Sequence, residues 1–410
     1  MRVYRDLCGY INLLGLSESL PLTTVITSRL SERGCETSNS SPRVYHIVPK
    51  ALDKRTDGTG QLVAEELRKL PKRNHLGFFA CTVNMDSFFS RLDELQTYFK
   101  SHNKTRDHQA HSAKVHSVGW SCDGRRLASG SFDKSVAIFY LDKDRLVGIG
   151  TKEFIFRGHG GSVDQLCWHA SHPDLLSTAS GDKSVRIWDA RSQKCSATIV
   201  TKGENINITW SPDGETIAVG NKEDLVTFID ARTHKVKAEE QFSFEVNEIS
   251  WNKKNNLFFL TNGQGCIHIL SYPELKLLHV LKAHPGTCIC IEFDPTGRYF
   301  ATGSADALVS LWDVNELACL RTFSRLEWPV RTISFSHDGR LLASASEDLV
   351  IDIGEVETGE KVVDIPVEAA TFTVAWHPTQ YLLAYACDDK DSYDRKRDAG
   401  SLKVYGFPSE

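Results

Sequence analysis

The 410-residue chain has no Cys-x-x-Cys pair, only two methionines and no apolar run of 18 residues. Its eleven cysteines sit singly in expected strands, as Cys122, Cys167, Cys266 and Cys319 do, or two apart at Cys288 and Cys290. Disulfide frameworks and zinc sites need regular or paired spacing, so these read as reduced thiols in an intracellular compartment, with no metal site. Without a long apolar run, no ordinary membrane span is expected. The N-terminus, MRVYRDLCGYINLLGL, mixes two early Arg with Asp6 and then Glu18, a pattern unlike a signal or transit peptide. An excess of positive charge is missing too. With 48 Lys and Arg against 53 Asp and Glu, the formal charge is −5, and no basic field exists to drive direct phosphate binding. Any RNA contact is expected to be indirect or weak. A Walker loop, a dinucleotide fingerprint, a His-x-x-x-His pair and a paired-carboxylate pocket are likewise absent, so no cofactor, catalytic centre or small-molecule substrate is expected.

What the chain does have is a repeat. An aromatic residue precedes a turn of the Ser/Asp-Pro-Asp-Gly type at Trp120, Trp168, Trp210, Trp251, Phe293, Phe335 and Trp376, with spacings of 48, 42, 41, 42, 42 and 41 residues. A period of about 40 to 45 residues with Gly-His and Trp-Asp signatures marks the blade of a WD-repeat propeller. Seven markers predict an all-β, seven-bladed WD-repeat β-propeller over residues 103–408. Residues 1–90 carry none of the repeat and read as a divergent extension, disordered by composition around SERGCETSNSSPR. Ahead of the propeller, short amphipathic helices are expected over Gln61 to Leu70 and from Phe88 to Phe99, and Met85 is a candidate for an alternative start.

In the first unit the expected strands are Val115 to Trp120, Arg126 to Ser131 and Val136 to Tyr140, separated by turn residues. The last unit should run Thr371 to Trp376, Tyr381 to Ala386 and Leu402 to Phe407. Residues 104–110 have no blade in front of them, so they are expected to add as an outer strand to the last unit, closing the ring and covering its edge. Two units depart from the period. The first carries LDKDRLVGIGTKEFIFRGH after its third strand, and the last carries the charged insertion DDKDSYDRKRDAGS.

Polar residues recur at fixed offsets as His159, Thr178, Asp182 and Trp188, and again as His284, Thr302, Asp306 and Trp312. A partial set is His111, Ser129 and Asp133 with Phe139. The pattern looks like a hydrolytic triad, but a nucleophile needs one exposed hydroxyl beside an oxyanion site, whereas this set repeats and ends on an indole donor. It reads as a structural network that satisfies buried polar groups. The other blades hold Thr201, Phe242, Leu326 and Val367 in the His slot and Ile229, Leu270, Gly354 and Val404 in the Trp slot, so no network is expected around Asp348 of the sixth.

Particular stretches go beyond the repeat. AHSAKVHSVGWSCDGRRLASGSFDK at 110–134, TKGENINITWSPDGETIAVGNKEDLVTFIDA at 201–231, FEVNEISWN at 244–252, FATGSADALVSLWDV at 300–314, FSRLEWPVRTISFSHDGRLLASASED at 323–348 and the ending VAWHPTQYLLAYACDDKD resemble the THO complex subunit 3 family. The resemblance spans about residues 103–408. It implies a non-catalytic subunit of the nuclear THO assembly, part of the larger transcription-export complex, which supports packaging and export of messenger RNA through contacts with other subunits. Rival readings are the substrate receptor of a ubiquitin ligase, for which no F-box or ligase-docking motif is found in residues 1–100, and a histone or peptide reader. In a meander of this kind the loop into each first strand and the turn between the second and third share one face. The candidates for a partner-binding surface there are Lys114, His116, Phe132, Glu204, Trp328, Arg331 and Phe372, with the insertion from Asp388 to Ser401.

Overall fold

The structure is a computed structural model that describes residues 85–109, 111–142, 145–147, 154–388 and 400–409. The chain divides into two units, Met1–Arg91 and Leu92–Glu410. In the first only the opening of a helix is described, and the expected helix at Gln61 to Leu70 lies outside the described residues. The second carries seven antiparallel sheets.

Each sheet is one repeat. The second, for example, runs Val163–Trp168, Leu175–Ser180, Ser184–Asp189 and Lys194–Val200. The first strand of each sheet packs against the first strand of the next, and Thr371–Trp376 of the seventh returns to Val115–Trp120 of the first, so the ring is closed about an axis lined by first strands. The closing strand lies where the sequence placed it: Lys104–Gln109 pairs antiparallel with Ser401–Phe407 and becomes the outermost strand of the seventh blade. The long stretch after the first blade's third strand resolves into a pairing of Phe154–Arg157 with Ser135 to Ile138, which supplies the fourth strand, and a short hairpin through Arg145–Val147. Several expected boundaries shift by one or two residues. The first blade's third strand is Ser135–Asp142, longer at both ends. The seventh blade's second strand begins at Leu383, because Tyr381 turns away and donates its hydroxyl to Asp338 of the sixth blade at 2.6 Å.

The core lies between blades. Seven clusters of buried side chains are described, one at each junction, and each contains one marker aromatic: Trp120 between blades seven and one, then Trp168, Trp210, Trp251, Phe293, Phe335 and Trp376 in order round the ring. Three of the indoles also donate to a carbonyl of the preceding blade, Trp120 to Ala375 at 3.2 Å, Trp168 to Gly119 at 2.8 Å and Trp210 to Cys167 at 3.1 Å. An aromatic ring that packs on one side and bonds back along its edge explains why this position, more than the tetrads, keeps the period. Helix α1, Met85–Ser101, runs to both sides of the expected Phe88 to Phe99. Its Leu92, Leu95 and Phe99 fill the junction of blades six and seven, with the Phe99 ring stacked on Tyr405 at 6.0 Å between centroids.

Candidate functional site

The two full tetrads form chains of hydrogen bonds. In the second blade the Trp188 indole donates to Thr178 Oγ1 at 2.9 Å; Thr178 lies 2.8 Å from His159 Nε2, and His159 Nδ1 lies 2.9 Å from Asp182 Oδ2. In the fifth blade the corresponding distances are 3.0, 2.9 and 3.0 Å for Trp312, Thr302, His284 and Asp306. A carboxylate can only accept, so the imidazole carries its proton on Nδ1; Nε2 of the neutral ring is then the acceptor, and the threonine hydroxyl that accepts from the indole donates to it. Burial pushes His159 below its ordinary value, with Asp182 opposing that, so the ring is a neutral link. Burial alone would raise the Asp182 carboxyl, yet hydrogen bonds from Ser184, the Gly160 amide and His159 hold it down at about 2. His111 in the partial set lies 2.8 Å from Ser129 Oγ and 3.2 Å from both Asp133 oxygens.

These sets do not have the geometry of nucleophiles. The hydroxyls of Ser129, Thr178 and Thr302 belong to fully buried residues and each already bonds the imidazole, so none can meet a substrate. The carboxylates instead fasten the loop entering the blade to the turn between its second and third strands: Asp182 accepts from the Gly160 amide and Asp133 from the Ser112 amide.

The sixth blade corrects the expectation that losing His and Trp leaves no network. Asp348 accepts from the amides of Glu327 and Trp328 at 3.0 and 3.1 Å and from the Ser346 hydroxyl at 2.6 Å, tying the same loop down without an imidazole. Arg325 enters the space vacated by the indole. Its guanidinium makes a two-pronged pair with the almost fully buried Asp352, at 2.5 and 2.8 Å, and a methyl group on Gly354 would collide with it.

Of the candidate face residues, the structure brings Lys114, His116 and Phe132 of blade one, Phe372 of blade seven, and Trp328 and Arg331 of blade six onto three consecutive blades. Lys114 Nζ sits 4.0 Å from the centre of the Phe372 ring and 3.0 Å from Asp388 Oδ1, joining blades one and seven. The His116 and Phe132 rings are 6.1 Å apart, and Arg331 pairs with Glu347 at 2.7 Å. Glu204 stands apart on blade three, paired with Lys222 at 2.6 Å. Phe132 and Trp328 are 62% and 54% exposed, and Leu349, which the sequence reading missed, is 63% exposed on the blade-six turn. A large aliphatic one residue after the turn Asp is the signal that would have found it. Residues 389–399 of the charged insertion lie outside the described residues.

The axis holds a second feature that the period does not mark. Side chains of the first strands bridge every junction. Ser117 accepts from the Leu166 amide, Gln165 from Ile208, Thr332 from Val374 and Thr373 from Val118, while Asn207 and Asn247 donate to the carbonyls of Asn247 and Cys288. Glu292 accepts from the Phe335 amide at 3.4 Å, and Glu248 from Gln165 at 3.1 Å. Both glutamates are partly exposed yet ringed by protein, so desolvation governs them: it pushes Glu248 up to about 7 and Glu292 up to about 8, against weaker pulls from their hydrogen bonds. Among the described residues no group of three His, Cys, Asp or Glu could hold a metal ion, and no helix is long and apolar enough to cross a membrane.

Comparison with known proteins bears on this geometry over nearly its whole extent. Residues 111–386 match the family described as the THOC3 beta-propeller domain. THO complex subunit 3 of Arabidopsis thaliana is 51% identical over 318 residues, which are 78% of this chain and 100% of that protein. The WD repeat-containing protein AAC3 of Dictyostelium discoideum is 32% identical over 367 residues, 84% of this chain and 74% of its own length.

Proposed function

The chain belongs to the THOC3 beta-propeller family, and from that premise we propose that it is a non-catalytic scaffold subunit of the nuclear THO assembly, supporting the packaging and export of messenger RNA by holding other subunits. The observation that carries this reading is the 51% identity to a THO complex subunit 3 over that protein's full length. The repeated polar sets agree with it, since their hydroxyls are buried and committed to structural bonds.

The docking surface in this proposal is the face formed by blades six, seven and one. Exposed aromatic and Arg side chains are the usual anchors of protein interfaces, and Phe132, Trp328 and Arg331 stand there beside Leu349. Lys114 and Phe372, joined across the junction, give the patch a rigid floor. RNA reaches the assembly chiefly through other subunits, in keeping with the net charge of −5.

The test is mass spectrometry of proteins that copurify with the tagged chain from nuclear extract. Wild type should bring down other THO subunits. The double variant Phe132→Ala, Arg331→Ala should lose them at least tenfold while its melting temperature stays within a few degrees. Recovery of ligase scaffold proteins in place of THO subunits by the wild type would overturn the function, and full retention by the double variant would overturn the choice of face.

A further inference from the structure

Propeller blades end in free sheet edges, and three of the seven in this molecule are plainly guarded. The outermost strand of blade three, Lys235–Gln241, reads KVKAEEQ; that of blade seven reads KTRDHQ; that of blade six carries Asp364 and ends on Pro366. Charge and proline on an edge discourage pairing with another chain. Blade four is different. Its outermost strand, Leu277–Lys282, reads LLHVLK and has only one partner, Cys266–Ser271. Leu277, Leu278 and Val280 are 56%, 58% and 39% exposed, so three of the nine large hydrophobic residues described as exposed fall on these six positions. No other described outer strand exposes more than one of them.

The strand itself carries charge of one sign, with the nearest carboxylate in sequence, Glu274, back in the turn before it. Lys276 precedes the strand, Lys282 ends it, His279 lies at its middle, and it carries no carboxylate. An antiparallel strand laid along it would find its unpaired amides and carbonyls, apolar side chains on both faces, and an ammonium group at each end. The chemistry that fits is an extended segment with β-branched or aliphatic residues at its centre and acidic residues at its ends.

We infer that the outer edge of blade four, Leu277–Lys282, is a second docking surface, on which a partner subunit of the assembly adds such a segment as a fifth strand. The inference rests on the scaffold reading above but not on the choice of the face formed by blades six, seven and one. Backbone pairing supplies the bulk of the contact, and Leu277, Leu278 and Val280 set the register.

The experiment uses the full chain, alone and in the reconstituted assembly. The variant Leu278→Glu, Val280→Glu places two carboxylates on the strand without touching a buried group, so its melting temperature should match wild type, while recovery of THO subunits falls at least tenfold. Hydrogen exchange read by mass spectrometry then separates strand addition from side-chain contact: amides of Leu277–Lys282 should exchange at least tenfold more slowly in the assembly than in the free chain. Wild type that recovers THO subunits, together with a variant that retains them all and unchanged exchange at this edge, would sink the strand proposal and leave the scaffold reading standing. Wild type that recovers none would remove that reading itself. Dimerisation of the free chain that the variant abolishes, seen by sedimentation, would overturn the proposal in favour of a second copy as the occupant.

Discussion

At the scale of single residues, the axial glutamates are where electrostatics and architecture meet. Glu292 takes the place of the small side chains found at its position in other first strands, such as Gly119 and Ser334, and its carboxyl bridges to the Phe335 amide of the next blade. Desolvation raises it from the ordinary 4.5 to about 8, with Lys253 and the hydrogen bonds from Ser334 and Phe335 opposing the rise and Glu248 adding to it. The sign follows. A carboxyl that stays protonated in the folded state but ionises in the unfolded one contributes stability that is fully present below about pH 4.5 and is lost as pH climbs through about 8. Glu292→Gln keeps an acceptor oxygen for Phe335 and removes the titration. The variant should therefore melt near wild type at pH 5 and a few degrees above it at pH 9, measured by circular dichroism at fixed salt. Parallel curves for the two proteins across that range would show that Glu292 does not titrate as described.

At the scale of elements, closure and helix docking make separate claims on the residues ahead of the first blade. Lys104–Gln109 covers the edge of Ser401–Phe407, with the Arg106 guanidinium 4.3 Å from the Phe407 ring, while α1 plugs the junction of blades six and seven through Leu92, Leu95 and Phe99. Burying Phe99 alone is worth about 3 to 5 kcal/mol when read as a truncation to Ala. A chain starting at Met85 should melt as the full-length protein does, one starting at Lys104 several degrees lower, and one starting at Ser112 lower again or with aggregation, because an unguarded strand is then exposed. Equal melting of all three would contradict both the closure and the docking. The closing strand was legible because a ring of four-stranded units needs a partner for the last blade, and the helix because Phe89, Leu92, Leu95 and Phe99 keep a helical interval. Where the helix docks was not legible, since nothing local ties Phe99 to Tyr405. The same holds for Arg325, which precedes the position where His stands in other blades: only the fold puts its guanidinium in the space left by a missing indole, next to Asp352 27 residues on. Periodicity marks what repeats, and these substitutes occur once.

At the scale of the whole molecule, the seven junction clusters make the ring a single packed object, and its surface charge then decides what it can attract at long range. Aromatic period and inter-blade packing are the same fact seen twice, which is why blade number could be counted from Trp120 to Trp376 before any contact was known. The sites were less legible for the same reason: a propeller face gathers residues from blades far apart in sequence, and neither the exposure of Leu349 nor the bare edge at Leu277–Lys282 is written in the repeat. For nucleic acid the argument runs through counterions. Each phosphate neutralised releases condensed cations, so the slope of log affinity against log salt counts contacts, at about 0.7 per phosphate for single strands. A chain with 48 basic and 53 acidic residues, several of the former held in pairs such as Lys114 with Asp388, Arg331 with Glu347 and Arg325 with Asp352, can neutralise few phosphates at once. The purified chain should accordingly bind a single-stranded polyuridine probe only at micromolar concentrations or above near physiological salt, with a slope of magnitude below about 2 between roughly 50 and 200 mM in fluorescence anisotropy. Nanomolar binding that collapses over the same range would mean that a local basic track outweighs the net charge, and that the propeller itself carries RNA into the assembly.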